Sequence, residues 1–99
     1  MELIGRLTVN DHPGLVKEAV ASVIGRGAKH VLMDLSGVPY IDSTRLGELI
    51  AAHVTVSRHG GRLKLVNTPH RVVELLTMAG LNDVFEQFSS FEDAMKSVS

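Results

Sequence analysis

The sequence predicts an α/β domain with a four- to five-stranded, mostly parallel or mixed sheet and about four helices. Three observations carry that prediction. Segments rich in branched apolar residues alternate with segments whose apolar residues recur every three or four positions. Val31-Leu32-Met33-Asp34-Leu35 is almost continuously apolar, as a strand covered on both faces must be. Glycines, prolines and small hydroxyl residues fall between the segments, where helices start and stop. Strands alternating with helices at this spacing imply a parallel sheet with helical crossovers.

Leu3 to Val9 reads as the first strand. Asn10-Asp11-His12-Pro13-Gly14 breaks it, and Pro13 suits the first turn of a helix that presents Val16, Ala19, Val20, Val23 and Ile24 on one face. Gly25 and Gly27 stop that helix, and the run Val31–Leu35 is the next strand. A second helix runs from near Ser43 to about His59. Its expected core side is Leu46, Leu49, Ile50 and Val54, with Gly47 and Ala51 allowing close packing. Gly60-Gly61 ends it, and Leu63 to Val66 is a third strand. Thr68 is expected to cap a third helix with Pro69 in its first position, packing through Val72, Leu75, Leu76 and Ala79. Gly80 followed by Leu81 has the form of a Schellman stop. Val84 to Phe88 is the last strand, and Ser89 with Glu92 reads as a capping box for a final helix bearing Phe91, Ala94, Met95 and Val98. Residues 1–99 form one domain, without repeats or low-complexity segments.

Composition narrows the function classes. A chain of 99 residues, 44 % hydrophobic and 21 % charged, can bury a core without metals or disulfides. Cysteine is absent, which removes thiol chemistry and fits a cytoplasmic setting. A net charge of −1 and an aromatic content of 4 % give no general pull toward nucleic acid or anionic lipid. No apolar run approaches the length of a membrane span, and the N-terminus lacks a signal-peptide layout. The five histidines (His12, His30, His53, His59 and His70) show no metal-ligand spacing. Ser43 lacks the flanking glycines of a hydrolase elbow, and no glycine run has the phosphate-loop lysine. Arg58, His59, Arg62 and Lys64 read as a solvated basic face. No cofactor is implied.

The informative stretch runs from Asp34 to Gly47, where a buried strand ends, a short loop follows, and Asp42-Ser43-Thr44 meets the first turn of a helix. Small polar residues there can cap exposed backbone N–H groups, and the helix end favours an added anion. A phosphoryl group on Ser43 would be tolerated by the fold while adding about −1.5 to −2 charges to the surface beside Asp42. Local chemistry alone makes such a serine an ordinary cap.

Leu32-Met33-Asp34-Leu35-Ser36-Gly37-Val38-Pro39-Tyr40-Ile41-Asp42-Ser43-Thr44-Arg45-Leu46-Gly47 resembles the signature of the STAS domain of bacterial anti-sigma factor antagonists. The resemblance extends to Gly60–Asn67, to Gly80-Leu81 and to Gly5-Arg6-Leu7, nearly the whole chain. It implies a STAS-like fold and a non-enzymatic, protein-binding switch. By this resemblance Ser43 is the residue phosphorylated by a partner that is both anti-sigma factor and serine kinase. Phosphorylation abolishes partner binding, and a PP2C-type phosphatase restores it. Asp42 helps hold the site and meets the kinase, Thr44 is the neighbouring hydroxyl, and the loop from Thr8 through Asn10 and Asp11 lies near the same face.

Two departures stand out. Arg45 replaces the family glycine and is expected to pair with Asp42 or a phosphate, or to lie solvated on the helix surface. Relatives generally carry another strand ahead of Leu3, so either the chain starts earlier than Met1 or the first strand forms an open edge, which pairs with a second copy of the chain or frays in a monomer. Two other readings remain: a STAS subunit regulating a lipid or anion transporter, favoured by an exposed apolar face near the second helix, and a small nucleotide-binding protein using the pocket above the strand ends.

Overall fold

The computed structural model describes residues 3–9, 15–38 and 41–98. Elements alternate along the chain as β1 (Leu3–Thr8), α1 (Leu15–Gly25), β2 (Ala28–Asp34), α2 (Ser43–Arg58), β3 (Arg62–Val66), α3 (His70–Met78), β4 (Glu86–Phe88) and α4 (Phe91–Lys96). The strands lie in the order β1-β2-β3-β4, and among the described strands every neighbouring pair is parallel, so the described sheet is parallel and not mixed. Every strand therefore points its carboxyl end to the same edge. Whatever follows a strand begins there.

Strand alternation assigns the two faces. Val31, Met33, Leu63 and Leu65 pack beneath α1, α2 and α3 in the main core, with Val20, Leu49 and Leu76 from those helices. Leu32 and Val66 face the other way and meet Ala94 of α4. β2 and β3 are thus covered on both sides, which is why Val31-Leu32-Met33 is continuously apolar and β3 breaks its apolar run only at the buried Lys64.

Several boundaries and caps depart from the sequence reading. β2 begins three residues before Val31, at Ala28. β4 is only Glu86–Phe88, because Val84 and Phe85 belong to a turn that tucks Phe85 into the core. Thr68 does not cap α3. Pro69 occupies the cap with extended dihedrals (φ −60°, ψ 149°), which leaves the threonine hydroxyl one residue too far back. The final cap is also displaced by one: Ser90, not Ser89, accepts from the Asp93 N–H at 3.1 Å. Ser89 instead donates to the Asp93 carboxylate at 2.9 Å. Pro13 lies outside the described residues.

The core side of α2 is rotated from expectation. Arg45, Leu49, Ala52 and Val56 face inward, while Ile50 and Val54 are 38 % and 45 % exposed. Gly47 has open space where a side chain would stand, so it serves no close helix contact. Lys64 departs too. It is 3 % exposed instead of solvated, and its ammonium donates to Ser97 Oγ at 2.7 Å and pairs with Glu86 at 3.1 Å.

The expected helix stops do form. In α3, Gly80 (φ 75°) donates to the Thr77 carbonyl and Leu81 to the Leu76 carbonyl, which is the Schellman pattern. Gly60 and Gly61 repeat it at the end of α2, donating to the Ser57 and Val56 carbonyls. A Cβ on Gly61 would lie 2.7 Å from the Lys29 carbonyl oxygen. That obstacle is backbone, so Gly61→Ala is expected to cost about 1–3 kcal/mol. Urea unfolding should show a lower midpoint at unchanged slope; an unchanged midpoint would mean that the α2–β3 connection can give way.

Candidate functional site

The site lies at the carboxyl edge of the sheet, where β2 hands over to α2. Three backbone bonds fix the handover: Val9 N–H to the Asp34 carbonyl, Leu35 N–H to the Val66 carbonyl, and Val38 N–H to the Leu35 carbonyl, at 2.9–3.0 Å. The Asp34 carboxylate accepts from the Ser36 N–H at 2.8 Å, an Asx turn that bends the chain off the strand. Val38 and Ile41 are buried and pin both ends of the loop to the core. The chain therefore enters α2 in a determined position.

Asp42 is the cap of α2. Its backbone is extended, and its Oδ1 accepts from the Arg45 N–H at 2.9 Å. Its own carbonyl accepts the first helical bond, from Leu46. Ser43 and Thr44 follow as the first two helical residues, both exposed. Because Asp42 does the capping, Ser43 is spared it, and its hydroxyl makes no hydrogen bond to another described residue. An anion added to that oxygen would sit on the positive end of a 16-residue helix.

Arg45 does not pair with the Asp42 side chain. It is 8 % exposed, and its guanidinium lies 3.6 Å from Glu48 one turn on. The expectation of a solvated surface arginine is overturned by the same burial, which leaves little of it to offer a partner. The physical reason is its azimuth: residue 45 falls on the same face as Leu49, Ala52 and Val56, all buried.

Thr8 ends β1 and sits in register with Asp34, exposed, on the same edge as Ser43. The segment after it stays close, since a Cβ on Gly37 would lie 3.6 Å from the Val9 carbonyl. Asn10 and Asp11 lie outside the described residues. The sequence reading missed Ile50 and Val54. Ser43, Gly47, Ile50 and Val54 follow the i, i+4, i+7, i+11 spacing of a single helix face. The serine thus heads a surface of small and apolar residues. Beside it, between α1 and α2, a groove of about 540 Å³ runs past Thr44, Gly47 and Ala51, with Lys17 on one bank and Glu48 on the other.

The family model for the STAS domain matches residues 7–94. The anti-sigma-B factor antagonist of Bacillus subtilis (strain 168) is 30 % identical over 86 residues, 87 % of this chain and 77 % of that protein. A crystal structure of the Thermotoga maritima protein TM1081 superimposes with a TM-score of 0.79 at 25 % identity, over 99 % of this chain and 83 % of that one. The unphosphorylated anti-sigma factor antagonist SpoIIAA shares the fold, with a TM-score of 0.70 at 18 % identity over 96 % and 85 % of the two chains.

The capping geometry yields a direct test. Asp42→Ala is expected to lower stability by about 1 kcal/mol, within the usual range of roughly 0.5–2 for a lost cap. Ser43→Ala should stay within about 0.5 kcal/mol of wild type, as surface changes do. If chemical denaturation showed the two equally damaging, Ser43 would share the helix start with Asp42 and would not be free of it.

Proposed function

The chain belongs to the STAS domain family, and on that premise we propose that it is an anti-sigma factor antagonist switched by phosphorylation of Ser43. The observation that carries this reading is the position of Ser43: exposed, free of capping duty, and at the head of the apolar face of α2. A partner lying along Gly47, Ile50 and Val54 would bury apolar surface and reach the serine hydroxyl at the end of the same face. The partner in this reading is an anti-sigma factor that is also a serine kinase. It transfers the γ-phosphoryl group of ATP to Ser43 Oγ, with ADP leaving and the hydroxyl proton passing to the kinase. The added dianion then stands at an interface otherwise made of apolar contacts, where its desolvation costs more than any pairing returns. A PP2C-type phosphatase resets the chain by hydrolysis. The chain itself is a substrate and a ligand, not an enzyme, and works in the bacterial cytoplasm in the control of transcription.

The exposed Ile50 and Val54 also favour a second reading, a STAS subunit docked on a lipid or anion transporter. The two separate on chemistry. Mass spectrometry of native protein is expected to find phosphate on the peptide spanning Ser43, and none in Ser43→Ala, which should bind the anti-sigma factor constitutively. Val54→Asp should weaken that binding on the order of ten-fold or more, the cost of a lost interface anchor, while leaving stability nearly unchanged. Protein without phosphate on Ser43 under any growth condition, recovered with a membrane transporter, would establish the second reading instead.

β1 is an edge of the sheet among the described strands, and in this reading it pairs with the β1 of a second copy. Light scattering at high concentration should then give twice the chain mass. A mass of one chain would remove the dimer.

A further inference from the structure

Opposite the switch, at the amino edge of the sheet, the structure gathers cations that the reading of Ser43 does not use. Arg26 follows α1, Lys29 opens β2, Arg58 ends α2 and Arg62 opens β3, and all are exposed. Among the described residues, the acidic ones at this edge are Asp83 and Glu86. Glu86 is already shared between Arg62, at 3.2 Å, and the buried Lys64, at 3.1 Å. Helix-end electrostatics account for Arg58 in the last turn of α2. They do not account for cations at the starts of two adjacent strands.

The cations sit on a preformed frame. Lys29 Nζ donates to the His59 carbonyl at 2.9 Å, tying the β2 start to the α2 end. Gly61 packs its backbone against that of Lys29. Two exposed apolar side chains stand at the same edge: Met78, 85 % exposed at the end of α3, and Val84 on the turn before β4.

We propose that this basic rim is a second docking surface, for an acidic protein segment that also carries an apolar residue. Guanidinium groups at helix and strand ends suit carboxylates, which they can hold through paired hydrogen bonds. Single-stranded nucleic acid would need a platform of exposed aromatic rings, and the phenylalanine at this edge, Phe85, is buried, leaving the His59 ring. A lipid surface would need a broader apolar face than Met78 and Val84 provide. The rim lies a helix length from Ser43, roughly 24 Å at about 1.5 Å per residue. Phosphate at Ser43 is therefore several screening lengths away, and rim binding is independent of the switch.

The test uses the full chain and an acetylated, amidated octaglutamate peptide carrying one central leucine, followed by NMR in about 0.15 M salt. Saturable shifts should be confined to residues 26–30, 58–62 and 78–84, and affinity should fall as salt rises. The double variant Arg26→Gln, Arg58→Gln should bind on the order of ten-fold more weakly, with an otherwise unchanged spectrum. Ser43→Asp should bind as wild type does. Dispersed or absent shifts, undiminished binding by the double variant, or loss on Ser43→Asp would overturn the proposal. So would tighter binding of an oligothymidine or of phosphatidylglycerol vesicles, which would give the rim to nucleic acid or lipid. Because Ser43 takes no part, a failed phosphorylation assay leaves this result standing, and the reverse holds too.

Discussion

The Asp42 carboxylate bonded to the Arg45 amide, at 2.9 Å, is the constraint from which the site follows. A helix start leaves backbone N–H groups without partners, and some side chain must answer them. Had Ser43 done so, its hydroxyl would be committed to the fold and any modification would unpick the first turn. With the cap one residue earlier, the Ser43 hydroxyl stays outside the capping of α2. The buried Val38 and Ile41 make this possible by fixing where the loop delivers Asp42.

The two faces of the sheet are held by different means. Three helices cover one face with a continuous apolar core. The other relies on α4, six residues long and too short to persist alone. Its attachment is partly polar. Lys64 reaches Ser97 at its end, and Arg6 stacks 4.0 Å from the ring of Phe91 at its start. A buried lysine is tolerable here because its ammonium meets a hydroxyl, a carboxylate and the Phe88 ring together.

The element order and the stop signals were legible because each rests on local chemistry: a glycine at positive φ, an apolar run, a small polar residue before a helix. The reading of Ser43 rested instead on the family resemblance. What escaped depended on tertiary context. α2 carries apolar residues on two opposite faces, so periodicity alone could not say which was inside. Placing Arg45 outside turned the wheel by about one residue, roughly 100°. The structure puts Arg45 inward beside Glu48 and leaves Ile50 and Val54 out. The caps at Thr68 and Ser89 failed by a single residue each, because cap identity follows backbone dihedrals that a serine or threonine does not itself determine. Lys64 escaped because its partners lie 22 and 33 positions further along the chain, at Glu86 and Ser97.

A parallel sheet also separates charge. Its carboxyl edge carries Asp34 and Asp42, with Glu48 paired to Arg45 and facing Lys17, and its amino edge carries Arg26, Lys29, Arg58 and Arg62 against Asp83 and Glu86. The net charge of −1 averages the two ends and conceals both. With a screening length of about 8 Å at physiological salt, a partner at either edge feels the local charge and not the average. In the proposed switch, a dianion beside Asp42 would act by repulsion and desolvation over short range. On the proposed reading, the same distance would shield a partner at the amino edge from charge added at Ser43.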